Sequence, residues 1–389
     1  MLRSLYSGIS GLRSHQTMLD VTANNIANVN TVAFKSSATQ FQDTLSQLVK
    51  GSNSPQATVG GTNPAQIGLG VQVAGISTNF SQGSTESTGR QTDVMISGDG
   101  FFVTNAGGQT QYTRAGSFDP DGLGHLVTPG GAIVQGWSAV NGVIQNGSTI
   151  GDITLPNQAV SPAEATTKAT VTGNLPIDAA TGTVLSRDTT AYDANGDTRK
   201  LTVTFTRTST GWDASADDGS ATPGTSSLAY TNGILSSGGS ITVNGIAVDM
   251  TATTGFAGLT TVAATSDGRA AGTLQSFTMS PDGTLIGSFS NGASQAIGRI
   301  ALATFVNPGG LAKAGSSSYT STFNSGAAQL GTAGQAGFGT LTSGALEMSN
   351  VDLSQEFTNL IVAQRGFQAN ARIITTSDQV LQELIQIKQ

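Results

Sequence analysis

The sequence predicts a multidomain fold, mainly antiparallel β with a terminal α-helical coiled-coil base, whose nested, discontinuous domains are arranged as radial layers. Three observations predict it. Both ends carry a heptad stripe of apolar residues, the stretch between them is rich in Gly, Ser and Thr, and that stretch is punctuated by hairpin dipeptides with no comparable stripe.

At the front, Leu2, Leu5, Ile9, Leu12, Gln16, Leu19, Ala23 and Ile26 fall on alternating steps of three and four. At the back, Leu353, Phe357, Leu360, Gln364, Phe367, Ala371, Ile374, Asp378, Leu381 and Ile385 do the same. A stripe this narrow on a polar helix cannot be buried within its own segment, so each helix needs a helical partner. The partners are the other end of the chain and the same ends of other copies. Packing on a globular core is the ordinary alternative, but a seven-residue period held over several heptads favours supercoiled pairs. Segments of roughly 25 and 35 residues at ~1.5 Å per residue give rods of about 38 and 53 Å. The assembly seam is therefore assigned to Leu5, Leu12, Leu19 and Ile26 with Leu353, Phe357, Leu360, Gln364, Phe367, Ile374 and Leu381. Gln16, Gln364 and Asp378 interrupt it, and polar seam residues fix register or partner.

Residues 46–67, with Pro55, Pro64 and no periodicity, read as an extended loop. From 68 to 146 and from 276 to 330, short alternating runs are separated by Asp121-Gly122, Asn141-Gly142, Asp282-Gly283 and Asn291-Gly292, the turns of an antiparallel domain. Residues 147–275 repeat the style with Asn195-Gly196, Asn232-Gly233 and Asn244-Gly245, and Leu201-Thr-Val-Thr-Phe-Thr-Arg207 alternates cleanly. The domains expected are a helical base (1–30 plus 350–389), a linker region (31–67 plus 331–349), an inner β domain (68–146 plus 276–330) and an outer β domain (147–275).

Composition narrows the function. Only 11% of the 389 residues are charged, Gly numbers 51, and a net charge of -7 argues against nucleic acid or an anionic membrane surface as partner. With no Cys, thiol chemistry and disulfides are excluded, and His15 and His125 alone make no zinc site. No catalytic, cofactor-binding or metal-binding residues are assigned. Asp193-Ala-Asn-Gly-Asp197 and Asp119-Pro-Asp-Gly122 lack the full calcium loop and read as turns. No secretory signal or membrane-spanning run is expected.

The ends also carry a resemblance. Leu19-Asp-Val-Thr-Ala-Asn-Asn-Ile-Ala-Asn-Val-Asn-Thr31, continuing to Phe34-Lys35, and Gly344-Ala-Leu-Glu-Met-Ser-Asn-Val-Asp-Leu353 with Ala363-Gln-Arg-Gly-Phe-Gln-Ala-Asn370 resemble the terminal signatures of the rod and hook family of bacterial flagellar axial proteins. Signature positions are Asn24, Asn25, Asn28, Phe34, Asn350, Asp352, Arg365 and Asn370. One departure is Ala33, where the family usually has Gly; a positive φ there would strain it by roughly 1 kcal/mol. Gly68-Leu-Gly-Val-Gln-Val-Ala-Gly-Ile76, Asp93-Val-Met-Ile-Ser-Gly-Asp-Gly-Phe-Phe102, Tyr112-Thr-Arg-Ala-Gly-Ser-Phe118 and Ile300-Ala-Leu-Ala-Thr-Phe305 resemble the family's inner β domain.

The resemblance implies a self-assembling, open helical tube outside the cell, exported without a cleaved signal. It implies as partners other copies, the hook cap protein, the distal rod protein, the hook-filament junction protein and the type III export gate. Phe41-Gln-Asp-Thr-Leu45 resembles an export element, with one helical face as the ordinary reading of Phe41 and Leu45. The segment 147–275 is one that hook members carry and rod members lack, so length is expected to separate them. Two other classes are a secreted β-rich adhesin or surface-layer protein, which needs no matched heptads, and a β-solenoid polysaccharide enzyme, which needs a fixed repeat period.

Overall fold

The structure, a computed structural model, describes residues 2–387 apart from 56–59, 141, 146, 148, 156–159, 220 and 221. The Asn141-Gly142 turn and the side chain of Leu2 therefore lie outside the described residues. Helix α1 spans Leu2–Ala27 and helix α2 spans Leu353–Ile387, and the strands lie between them.

The chain leaves α1 into strand Ser37–Asp43, which pairs antiparallel with Val71–Thr78 across a bulge at Gln40/Phe41. Between them the expected loop is instead a hairpin: Ser46–Lys50 pairs with Ala65–Gly68, and Asn53 bridges Thr62. The Gly and Pro residues that read as loop occupy its far end, while Leu48, Val49 and Ile67 supply β-formers in the arms. Every residue of both arms is exposed.

Among the described residues the larger sheet has fifteen strands, with Ser294–Ile300 pairing Ile133–Val140, which in turn pairs Phe101–Ala106. One of its cores gathers Phe102, Phe118, Val134, Ile300, Leu302 and Leu341, with the Phe102 and Phe118 rings edge-on at 5.0 Å. A second gathers Phe101, Tyr112, Trp137, Phe305 and Tyr319. The smaller sheet has nine strands among the described residues and its own core around Leu201, Phe205, Trp212, Leu228 and Met250. Thr198–Arg207 buries Leu201, Val203 and Phe205 on one face, as its alternation requires. At Asn232-Gly233 and Asn244-Gly245 both residues have positive φ, the geometry that suits two-residue hairpin turns.

Three boundaries differ from expectation. The smaller sheet runs from Lys168 to Ser266, narrower than 147–275, because Gly151–Asp152, Val160–Ser161 and Gly272–Met279 pair into the larger sheet. Val71–Thr78, expected in the inner domain, pairs with the strand that follows α1. Thr340–Ser343 pairs with Val94–Ser97, and Ala345–Glu347 with Thr85–Ser87, so the returning chain is zipped to the outgoing one. One pairing, Lys168–Asn174 with Ile246–Thr254, is parallel. The long excursion between those strands supplies the crossover that parallel neighbours need.

At the foot of the smaller sheet, Asp267 closes the entering and leaving strands. Its Oδ1 accepts from the backbone N–H groups of Thr167 and Lys168 at 3.0 Å each, and its Oδ2 from the Thr167 hydroxyl at 2.8 Å. Arg269 and Glu164 pair beside it at 2.8 Å.

Candidate assembly site

Small residues decide how the two helices meet. A Cβ on Gly8 would touch Ile373 and Ile374 at 3.5 Å, one on Gly11 would fall 2.6 Å from the Asn370 amide oxygen, and one on Gly366 would fall 2.5 Å from the His15 ring. Further along, the Asn25 amide donates to Glu356 Oε1 at 3.0 Å. These contacts run antiparallel, Gly8 against Ile373 and Asn25 against Glu356. Among the described side chains, the buried positions are Gly8, Gly11, Ser14, Thr22 and Asn25 on α1 and Glu356 and Ala363 on α2. Residues without bulk let the helix backbones approach closely, which is the contact the heptad argument overlooked.

The expected seam flanks that line. Leu5, Leu12, Leu19 and Ile26 are half-buried, as are Leu360, Phe367, Ile374 and Leu381, while Leu353, Phe357 and Gln364 are exposed. Within one subunit the stripe is thus only half used. Phe357, Ile361 and Val362 are each more than half exposed.

Beneath the helices lies a buried ionic clasp built from three of the signature segments. Lys35 Nζ sits 2.6 Å from Glu347 Oε1, with both side chains fully buried. Lys35 also donates to the Ser81 carbonyl at 2.8 Å, and the Gly83 N–H donates to Glu347 Oε1 at 2.9 Å. Arg114 Nη1 lies 3.4 Å from Glu347 Oε1, its Nε donates to the Gly100 carbonyl at 2.9 Å, and its Nη2 donates to the Gly98 carbonyl. Burial pulls the Lys35 ammonium below the ordinary lysine range, against the raising effect of Glu347. Burial likewise pushes the nearby Tyr319 phenol up to about 12.

Ala33 enters this clasp with φ of +55°, the left-handed region, and its N–H donates to the Glu347 carbonyl at 2.8 Å. The turn that Gly would make is therefore kept with a methyl group in place, and Ala33 is fully buried.

Several signature residues bond near it, while Asn370 lies farther along the helices, opposite Gly11. Asn25 donates to the Ser37 carbonyl at 2.8 Å and accepts from the Ser37 N–H at 3.0 Å. Asn350 accepts from the Ser36 N–H at 2.8 Å and donates to the Asn79 carbonyl at 2.9 Å. Asp352 caps α2, accepting from the N–H groups of Ser354 and Gln355. Asn370 donates to the Gly366 carbonyl at 2.8 Å. Asn28 donates to the Asn24 carbonyl at 2.9 Å, and Phe34 stacks under Lys313 at 5.5 Å. Arg365 is exposed and stands apart from the clasp.

Phe41 lies in a strand with its ring 5.8 Å from His15, and Leu45 is exposed beyond the strand end. They form no helical face, which corrects the ordinary reading of that pair. Asp193 accepts from the N–H groups of Asn195 and Asp197 at 2.9 Å each, a turn, and Asp121 accepts likewise from Leu123 and His125. Among the described residues no group of three or more His, Asp or Glu side chains could hold a metal ion, and no helix is long and apolar enough to cross a membrane.

Lys35, Arg114, Glu347, Gly8 and Gly11 were not singled out as site residues from sequence. The available signal was charge: in a chain with so few ionic residues, these three lie inside quoted motifs.

Paired terminal helices, a buried clasp joining outgoing and returning chain, and β-sheets carried beyond them define a layered structural subunit. Profiles described as flagellar basal body rod FlgEFG protein C-terminal, flagellar hook protein FlgE/F/G D1 domain and flagella basal body rod protein match residues 342–387, 95–179 and 5–35. The flagellar hook protein FlgE of Borreliella burgdorferi is 40% identical over all of both chains, and that of Salmonella typhimurium is 38% identical over 99% of this chain and all of its own. The chain belongs to the flagellar hook protein family.

A relative named flagellar basal-body rod protein FlgG, from Bacillus subtilis, is 36% identical over all of both chains. The solved Helicobacter pylori flagellar hook protein FlgE2 gives TM-score 0.49 at 13% identity, over 66% of this chain and 98% of its own, too loose a likeness to carry weight.

Proposed function

We propose that the chain is a structural, non-enzymatic subunit of the flagellar hook, polymerising into a flexible curved tube that passes torque from rod to filament. The observation that carries this is the half-used apolar stripe on the paired terminal helices. One chain satisfies its small-residue line internally and leaves Leu353, Phe357 and Ile361 for other copies. Contacts between unlike surfaces of identical subunits need not close, so they propagate as an open helix.

In this reading the seam residues, from Leu5 to Ile26 and from Leu353 to Leu381, hold the tube core, and the clasp fixes how the helices meet the β layers. The larger sheet forms the inner layer and the smaller sheet the outer one, where neighbours slide as the joint turns. The partners are the hook cap, distal rod and hook-filament junction proteins, and the subunit reaches the extracellular hook through the type III export gate, with Phe41 and Leu45 in the export element. Hook-basal bodies purified from cells whose own hook gene is replaced by this one test the proposal. Curved hooks on the rods are expected, and rods ending bare would overturn it.

A further inference from the structure

We infer that a rigid knob built by two loops, 305–311 and 321–326, and presenting Val306 and Phe323, is a contact surface for a second copy of this chain. The inference rests on the polymer reading above but concerns a different surface from the helical seam. Phe323 is 111% exposed and Val306 81%. A Phe left in water forgoes the free energy its burial would bring, so its display on a mobile tip would be unremarked but on a fixed one calls for a partner.

The loops are fixed. Asn307 Nδ2 donates to the Asn324 carbonyl at 3.0 Å, the Thr322 hydroxyl donates to the Gly310 carbonyl at 2.6 Å, and the Thr322 N–H donates to Ser325 Oγ at 2.9 Å. Ser325 is fully buried, and its hydroxyl donates to the Thr322 carbonyl at 2.9 Å. A Cβ on Gly310 would fall 2.8 Å from the Asn324 carbonyl carbon, so the two backbones touch. An apolar side chain held out by a pre-ordered backbone loses little entropy on docking, the property of an interface anchor.

Charge says what covers it. From 300 to 346 the sole charged residue is Lys313, although 41 of the 389 residues are charged (17 basic and 24 acidic). Two copies carrying -7 each repel, and they meet at least cost where the touching loops carry no acid of their own, as 305–311 and 321–326 do, with Asp20 and Asp99 standing at the base of the first. The two loops themselves offer no charge to a cationic or strongly acidic partner.

The chain has no Cys, so Phe323→Cys gives a single reactive thiol. Maleimide labelling of that variant should be complete in monomers and slowed at least about tenfold in tubes. Phe323→Ser, with an unchanged melting temperature, should raise the protein concentration needed for tubes about tenfold. Equal labelling in monomer and tube, or an unchanged critical concentration, would overturn the inference. So would protection that arises only when another flagellar component is added to the tubes. If the unaltered chain forms no tubes, the polymer reading itself fails, a separate outcome.

Discussion

Lys35 Nζ lies 2.6 Å from Glu347 Oε1 with neither side chain reaching solvent, so residues 312 positions apart are joined by a buried ion pair. Arg114 approaches the same carboxylate, its Nη1 3.4 Å from Oε1.

Because two cations share one buried carboxylate, removing Glu347 should cost more than removing Lys35. Glu347→Ala leaves both charges uncompensated and should lose about 3–5 kcal/mol. Lys35→Met still leaves Glu347 with Arg114 and the Gly83 N–H, and should lose less, about 1–3 kcal/mol. Urea unfolding of the two variants gives the order directly.

Tyr319 predicts alkaline loss of stability. Its phenol is raised to about 12 from 10.0, so the folded state keeps the proton that the unfolded state gives up. That contribution is whole below pH 10 and disappears between 10 and 12, amounting to about 2–3 kcal/mol. Lys35 acts in the opposite sense: its lowered pKa makes stability rise as pH climbs toward 10.5. Tyr319→Phe should reduce the alkaline decline in a pH series of thermal melts, leaving the part due to Tyr112 and Tyr230, whose phenols burial also raises, and should keep the neutral melting temperature within a few degrees.

Ala33 should tolerate Gly and reject bulk. Gly relieves left-handed strain of about 1–2 kcal/mol. Against this stand a lost buried methyl, about 0.8 kcal/mol, and added unfolded-state entropy of about 0.4–1 kcal/mol. Ala33→Gly should therefore stay within about 1 kcal/mol of the parent, whereas β-branched Ala33→Val should lose more than about 2 kcal/mol. Chemical denaturation of both variants makes the comparison.

Removing residues 168–266 should leave the rest of the subunit folded. Asp267 already bonds Thr167 and Lys168, so a linker of a few residues spans the cut, and the smaller sheet takes its own core with it. Calorimetry should show one fewer transition. Disappearance of the remaining transition too would contradict the separate-core account.

The β architecture was legible because alternation and Asn-Gly turns are local signals: Leu201 to Arg207 is a strand, and Asn244-Gly245 is a tight turn. The helices and their pairing were legible, but the small residues that make the contact were not, since a hydrophobic template finds Leu12 and Leu19 and passes over Gly8 and Gly11. The clasp was hidden for a different reason. Lys35, Arg114 and Glu347 are far apart in sequence, and only strand pairing at Thr85–Ser87 with Ala345–Glu347 returns the last of them to the first. The smaller sheet's limits were misplaced because strands such as Gly272–Met279 alternate alike in either sheet.

The central claim is that apolar residues flanking the helix contact join copies into a tube. Electron micrographs of the purified chain and of Leu19→Asp under polymerising conditions test it most directly. A charge at a half-buried apolar position becomes costly by several kcal/mol once a neighbour covers it. The account predicts tubes from the parent chain and folded, dispersed subunits from Leu19→Asp with unaltered β circular dichroism; normal tubes from Leu19→Asp, or only globular particles from the parent, would contradict it.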